Sequence, residues 1–454
     1  MPEPSIVWLR DDLRIADNPA LTAAVQRGAP VVVLYVLDDE SPEVRPLGSA
    51  ARWWLHNSLV ALDASLREIG GELTLRRGPA ERVLSEIVAE TDAAAVFWNR
   101  RYSGAREVDT RVKQALKDDG REATSFPANL LFEPWTVRNG QGEPFRVFTP
   151  FWNACRQRGM DRHPLDAPRE LVPAAVASDD LDSWGLLPTH PDWAQGLREH
   201  CEPGEDAAHE RLDIFLEEIL ADYHRRDEPH TVATSGLSPH LRFGEISPLQ
   251  IWERVHELPP DVRNGDKFLS ELGWREFNWN ILFHHPDLAT RNYRPDFDSF
   301  EWEQPNPAEL QRWQQGRTGI PLVDAGMREV WETGTMHNRV RMVCASFLVK
   351  NMLVDWRVGE RWFWDTLVDS DEANNPANWQ WVAGSGADAA PFFRVFNPVL
   401  QQEKFDPRFE YVRQWVPEYG TNDYPEPMLD LAASRAEALQ HYEAMRRTTG
   451  ALEG

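Results

Sequence analysis

Four short strand-like runs, SIVWL, VVVLYVL, ELTL and AAAVFWN, open the chain and alternate with helical stretches such as SAARWWLHNSLVALDASLREIGG and REVDTRVKQALKDDG. This alternation constrains the fold more than any other feature. Parallel neighbours in a sheet need a long crossover, and a helix between every two strands supplies it. The expected start is therefore a Rossmann-like α/β domain with a parallel sheet. No G-x-G-x-x-G follows the first strand, so the standard dinucleotide fingerprint is missing. From His209 onward the period changes. HERLDIFLEEILADYHRR, DKFLSELGWREFNWNILFHH and LVDAGMREVWETGTMHNRVRMVCASFLVKNMLVDW place apolar residues three and four apart, the spacing of helices. The stretch between is rich in Pro, Asp and Gly. The expected organisation is an α/β domain over 1–130, a connector over 131–208 and a large all-helical domain over 209–454.

At 454 residues, with 42% hydrophobic and 27% charged residues, the chain can bury two sizeable cores. It contains no apolar run of membrane-spanning length and no hydrophobic leader in MPEPSIVWLRDDLRIADNP. Neither a membrane span nor secretion is expected. Cys155, Cys201 and Cys344 lie far apart, which fits a reducing compartment and gives no metal or iron–sulfur pattern. A cytoplasmic monomer without metal is the expectation. A net charge of −25 argues against nucleic acid if taken as a sum. Binding reads the distribution of charge, so a local basic face stays open. Twenty tryptophans, in clusters such as NWQW and RWFWDTL, point to stacking or redox work as well as core packing.

Three segments carry chemistry. In TSGLSPHLRFGEIS, Thr234, Ser235, Gly236, Leu237 and Ser238 form either a helix cap or a cradle for a diphosphate, with Tyr223 and Arg275 as remote partners. In ELGWREF and MHNRVRMV, Glu271 and Trp274 share one helical face, as do Asn338 and Met342. A carboxylate, an amide, a ring and a thioether converging in a cavity can grip a pair of flipped-out bases. Plain helix packing, with Arg339 and Arg341 neutralising acids, explains the same pattern. The third segment, DSDEANNPANWQWVAGSGADAAPFFRVFNP, sets Asp369, Asp371 and Asn375 beside Trp379 and Trp381. Such a mixture of amides, carboxylates and indoles suits the edge of an isoalloxazine ring. A buried carboxylate needs a partner, and Arg341 is the candidate.

These motifs, with IVWLRDDLRIADNPAL, GRTGIPLVDAGMRE and FFRVFNPVLQQEKFDP, make the chain resemble the photolyase/cryptochrome family over nearly its full length. The resemblance is greatest to the class I-like cyclobutane pyrimidine dimer photolyases of bacteria. It implies an antenna-binding α/β domain and a helical domain that holds FAD in a U shape. Tyr223, Thr234, Ser235, Gly236, Leu237, Ser238 and Arg275 would then serve the diphosphate and ribityl region. Asp369, Asp371 and Asn375 would face the flavin, with Asn375 near N5 and Arg341 paired to Asp369. Glu271, Trp274, Asn338, Arg339, Met342 and Trp381 would line the lesion pocket. Family members specific for the (6-4) lesion usually carry His at the position of Asn338, so the expected substrate is DNA containing cyclobutane dimers. In the mechanism so implied, excited reduced FAD lends an electron to the dimer and regains it. Glu271 would stabilise the charged dimer. The rival on the same scaffold is a cryptochrome that signals without repair; a bare electron-transfer flavoprotein leaves the lesion set unexplained.

Two positions depart from the family pattern. The relay that reduces the flavin would run from Trp379 to Trp356 and on to a surface indole, but the expected place holds Glu303. Trp302, one residue away, is the expected exit, with Trp313 as the second candidate. Thr335 stands where relatives often have Trp. FWNRRYSGARE matches the antenna region through Asn99 and Tyr102, while a Glu expected near Ser103 is absent. The expected antenna is 5,10-methenyltetrahydrofolate ahead of an 8-hydroxy-5-deazaflavin, with an empty site as the third option.

Overall fold

The strands form where β-branched and aromatic residues run without interruption, as they do when both faces of a sheet are covered. In the computed structural model, which describes residues 3–259, 264–389 and 393–450, these are β1 (Ser5–Leu9), β2 (Val31–Leu37), β3 (Leu73–Arg77), β4 (Ala95–Asn99) and β5 (Glu122–Phe126). All pair in parallel, in the order β3-β2-β1-β4-β5. Every residue of β2 is buried. Val7, Leu9, Val33 and Tyr35 pack on helices Pro19–Gln26 and Ser49–Glu68, while Ile6, Trp8, Val32 and Leu34 pack on Ala80–Thr91 and Arg106–Asp118. Each such aliphatic side chain contributes about 1.5–3 kcal/mol by leaving water. The fifth strand, EATSF, escapes the sequence reading because it is a polar edge strand, exposed at Glu122.

The connector of 131–208 is divided between two cores. Phe148, Phe151, Trp152 and Cys155, on helix Phe148–Arg158, join the core of the helical domain with Leu272 and Phe277. Leu171, Trp184, Leu186 and Leu197 belong instead to the core beneath the sheet. Abundant Pro, Asp and Gly hide these sparse apolar anchors from a composition-based reading.

One clasp fixes the α/β domain on the helical one. The Arg45 guanidinium carbon lies over the Trp364 ring, 3.7 Å from its centroid, and Trp364 Nε1 donates to the Pro46 carbonyl at 2.9 Å. Both Ser49 N and Ser49 Oγ donate to Asp365 at 2.8 Å. Gly48 is required by this approach, since a Cβ there would stand 2.0 Å from the Trp364 carbonyl oxygen.

Candidate active site

Most of the side chains singled out by the sequence lie on helices Ser238–Phe243, Gly265–His284, Asn338–Ser346 and Asn374–Ala383 and on the loops that lead into the first and last of these. The loop Thr234–Leu237 leads into helix Ser238–Phe243. It turns at Gly236, with φ +69, a backbone region that a side chain disfavours. Arg211 holds the loop from behind, donating to the Ser235 carbonyl at 2.6 Å and the Thr234 carbonyl at 3.4 Å. Thr234, Gly236 and Ser238 stay exposed while Leu237 anchors the turn in the core. Ser238 Oγ donates to Asp369 Oδ2 at 2.6 Å.

Asp369 is the hub of this side. Arg341, on helix Asn338–Ser346, reaches it with both terminal nitrogens at 3.1 and 2.9 Å, while its Nε donates to the Met336 carbonyl. The Asp369 side chain is 5% exposed, so this planar two-point pair offsets the desolvation of the carboxylate. Asp371 is engaged locally: it accepts the N–H groups of Ala373 and Asn374 and the Asn374 amide, closing the turn into helix Asn374–Ala383. Asn375, the second residue of that helix, donates Nδ2 to the main-chain oxygen of Glu360 at 3.0 Å and to Glu360 Oε1 at 2.9 Å. Its Oδ1 has no hydrogen-bond partner among the described residues. Arg275 donates to the carbonyls of Asn129 and Leu241, and Tyr223 is buried among Phe215 and Phe268.

On the opposite side, Glu271 of helix Gly265–His284 is half-buried and meets Lys267 at 3.1 Å and Arg226 at 3.7 Å. The Arg226 carbonyl accepts from His337 Nε2 at 2.8 Å, and His337 Nδ1 accepts the Arg339 N–H to cap helix Asn338–Ser346. Burial lowers the His337 pKa to about 4, so the ring is neutral at pH 7 and can play both parts at once. Arg226 thus ties the Glu271 helix to the helix that bears Asn338, Arg339 and Met342. Arg339 pairs with Asp227 at 3.1 Å and covers the Phe405 ring. Trp274 stacks on Phe148 at 3.9 Å, and Trp274, Trp381 and Asn278 line one cleft.

The indoles of the expected relay share one core, with Trp302 packed at its margin. Trp379 is 2% exposed and Trp356 and Trp313 are 0% exposed. Trp313 lies 6.4 Å from Trp379, ring to ring, and donates to the Cys344 carbonyl. Trp302 is half-buried against Phe300, and the Glu303 N–H bonds to the Leu353 carbonyl.

A second constellation surrounds the C-terminal ends of β1, β2 and β4. The strand order reverses between β1 and β4, which is where open α/β sheets bind ligands. Asn99 and Tyr102 spend their side chains on neighbouring residues. Asn99 donates to Asp12 and Asn18, and the Tyr102 hydroxyl donates to Glu133. By contrast Trp8 Nε1, Arg10 Nε, Asp39 Oδ1, Glu43 Oε2 and Arg101 Nε are buried without partners. Arg10 and Arg101 both lie over the Trp8 ring and share Asp109. Unsatisfied polar groups gathered in this way leave hydrogen-bonding capacity that a polar ligand could take up.

The sequence reading missed Glu360, Arg45, Arg211 and His337. Each acts through another residue, and no local motif signals such a role. Among the described residues no cluster of His, Cys, Asp or Glu could hold a metal ion, and no helix is long and apolar enough to cross a membrane.

The fit to FAD rests on the exposed Thr234–Ser238 turn, the neutralised Asp369 and the free acceptor of Asn375. Comparisons with known proteins agree. Residues 5–170 match the family described as DNA photolyase, and residues 268–421 match the FAD binding domain of DNA photolyase. A deoxyribodipyrimidine photo-lyase of Agrobacterium fabrum is 46% identical, over 98% of this chain and 99% of its own. The crystal structure of a bacterial class III photolyase from Agrobacterium tumefaciens superposes with a TM-score of 0.95 at 45% identity, covering 98% of each chain. An archaeal photolyase from Sulfolobus tokodaii, described with two FAD molecules and a novel light-harvesting cofactor, gives 0.83 at 30% identity, over 97% of this chain and 100% of that one.

The α/β sheet, the FAD-binding helical domain and these full-length matches define a flavoprotein of light-driven chemistry, and the chain belongs to the DNA photolyase family. It is an enzyme of the deoxyribodipyrimidine photo-lyase type. The class I expectation is corrected by the full-length match to a class III photolyase. That expectation rested on long motifs such as IVWLRDDLRIADNPAL and GRTGIPLVDAGMRE, which mark the family rather than the subclass.

Proposed function

We propose that this protein repairs cyclobutane pyrimidine dimers in DNA under light, with the lesion held between the Glu271 and Asn338 helices. The observation that carries this reading is the Arg226 tie, which brings Glu271 within reach of the residues at the start of helix Asn338–Ser346. FAD, when bound and reduced, supplies the electron for ring splitting and takes it back. The protein supplies position and electrostatics. Arg341 and Ser238 hold Asp369 toward the ribityl chain, and the Thr234–Ser238 turn receives the diphosphate beside Tyr223 and Arg275. Asn375 presents its Oδ1 at N5, and Asp371 orders the turn that delivers it. Trp274 and Trp381 flank the flipped bases, Met342 and Asn338 face them, and Arg339 meets a phosphate at the rim. The α/β domain of 1–130 carries the antenna, 131–208 connects, and 209–454 does the chemistry, in a cytoplasmic monomer.

Illuminating the reduced protein with dimer-containing DNA tests the reading. Dimers disappear only in the light; their persistence would favour the cryptochrome alternative. Glu271→Ala is expected to lower the quantum yield of repair several-fold while FAD stays bound. Its partners Lys267 and Arg226 are partly exposed, so the stability cost stays below about 1 kcal/mol. FAD loss in this variant would make Glu271 a structural residue.

Reduction of the resting enzyme is proposed to draw electrons from Trp302 through Trp356 and Trp379 to bound FAD. Trp302 is half-exposed, whereas Trp313 is sealed from solvent and has no external reductant in reach. Trp302→Phe is expected to slow photoreduction of bound FAD and to leave repair by pre-reduced enzyme intact. Transient absorption on Trp302→Phe and Trp313→Phe separates the two, and a loss confined to the Trp313 variant would move the exit there.

For the antenna, folate is the better candidate than a deazaflavin at the β1/β4 crevice. A 2-amino-4-oxo pteridine offers paired N–H donors to a carboxylate such as Glu43, whose Oε2 is free. Arg10 and Arg101 suit the remaining acceptors.

A further inference from the structure

We infer that Arg45, a residue of the α/β domain, is a positioning residue for the flavin, fixing through Glu360 which end of the Asn375 amide faces N5. The inference rests on the proposed place of Asn375 at that nitrogen.

Arg45 Nη1 and Nη2 donate separately to the two oxygens of Glu360, at 2.7 and 2.9 Å. The Glu360 side chain is 1% exposed. Asn375 Nδ2 meets Glu360 Oε1 at 2.9 Å and the Glu360 main-chain oxygen at 3.0 Å. Both are acceptors, so the amide end that faces them must be the NH₂ group. The acceptor Oδ1 is thereby turned the other way. Opposite N5, an acceptor favours a nitrogen that carries a proton, as in the reduced ring. A donor in the same place favours the bare nitrogen of the oxidised ring.

Arg45 is what keeps both Glu360 oxygens as acceptors. Without the guanidinium, a buried carboxylate loses its counter-charge. A carboxyl that takes up a proton, or a water that fills the gap, brings an O–H that can donate to Oδ1. The side chain of Glu360 then no longer selects the NH₂ end, and only its main-chain oxygen still favours it. The fork is itself held by the interdomain clasp, stacked on Trp364 and followed by Pro46, Gly48 and Ser49, each seated on helix Trp356–Thr366. One domain thus sets the hydrogen bonding around a cofactor that the other binds.

The rival explanation is that Arg45 merely docks the domains. The midpoint potential of bound FAD separates the two, measured by spectroelectrochemistry on the full-length protein. Arg45→Gln is expected to cut the preference for reduced over oxidised flavin about tenfold, a shift of about 30 mV to the negative for a two-electron couple. Arg45→Lys, which keeps the charge but loses the fork, recovers part of it and serves if the glutamine variant fails to hold FAD. Asp365→Ala loosens the clasp without touching Glu360 and should lower the melting temperature while leaving the potential unchanged. An unchanged potential in both Arg45 variants, with a shift in Asn375→Ala, overturns the role of Arg45 alone. No shift in Asn375→Ala overturns the place of Asn375 at N5.

Discussion

Replacing Arg341 with methionine is expected to cost about 3–5 kcal/mol of stability and to strip the protein of FAD. Methionine keeps an apolar stem like that of arginine but lacks the guanidinium, so the loss is chiefly electrostatic. Asp369 is 5% exposed and would keep Ser238 as its one remaining hydrogen-bond donor. The change also removes the Nε donor from the Met336 carbonyl, just ahead of helix Asn338–Ser346. Denaturant melts and the ratio of flavin to protein after gel filtration report the two effects separately. Adding Asp369→Asn removes the stranded charge, so the double variant should regain most of the stability. If Asp369 serves the cofactor as proposed, FAD binding stays weak in the double variant. Recovery of both would make the ion pair structural; recovery of neither would mean that Arg341 acts on the helix through Met336.

The Arg341–Asp369 pair was legible because a carboxylate in an aromatic segment demands a cation, and the motifs offered a suitable one 28 residues away. The sheet was legible for a similar reason, since VVVLYVL and AAAVFWN suit a strand covered on both faces. The edge strand Glu122–Phe126 carries no such signal. The anchors Phe148, Phe151, Trp152 and Cys155 have helical spacing, but they sit in a stretch whose Pro, Asp and Gly suggest a connector. Within the site, sequence finds the groups that would touch ligands and misses those that orient them. Nothing near Arg45 in SPEVRPLGS announces a partner 315 residues on, and nothing near His337 announces the Arg226 carbonyl. Asn99 shows the converse. It matched the antenna region, yet its amide is bound to Asp12 and Asn18, while the unpartnered atoms of Glu43, Arg10 and Arg101 lie beside it unremarked.

Gly359→Ala is the second large effect, and it arises from a single methyl group. Gly359 lies on helix Trp356–Thr366, one residue before Glu360, with the Trp379 indole against its backbone. A Cβ would stand 2.1 Å from Trp379 Cη2, 2.4 Å from Cζ3 and 2.7 Å from Leu348 Cδ2. Alanine is the better helix former by about 1 kcal/mol, but inserting a methyl into so tight a contact costs about 1–3 kcal/mol or more. The clash should win, because the ring is also packed against Phe363 at 4.9 Å and is 2% exposed. Trp379 would be forced off the position from which the relay is proposed to start. The expected outcome is lower stability together with loss of photoreduction by external reductant, while chemically reduced enzyme keeps its repair. Adding Trp379→Phe makes room for the methyl and should restore stability without restoring photoreduction. A single variant that melts like the wild type would show that the helix can shift to admit the methyl. A stable double variant that still photoreduces would remove Trp379 from the relay.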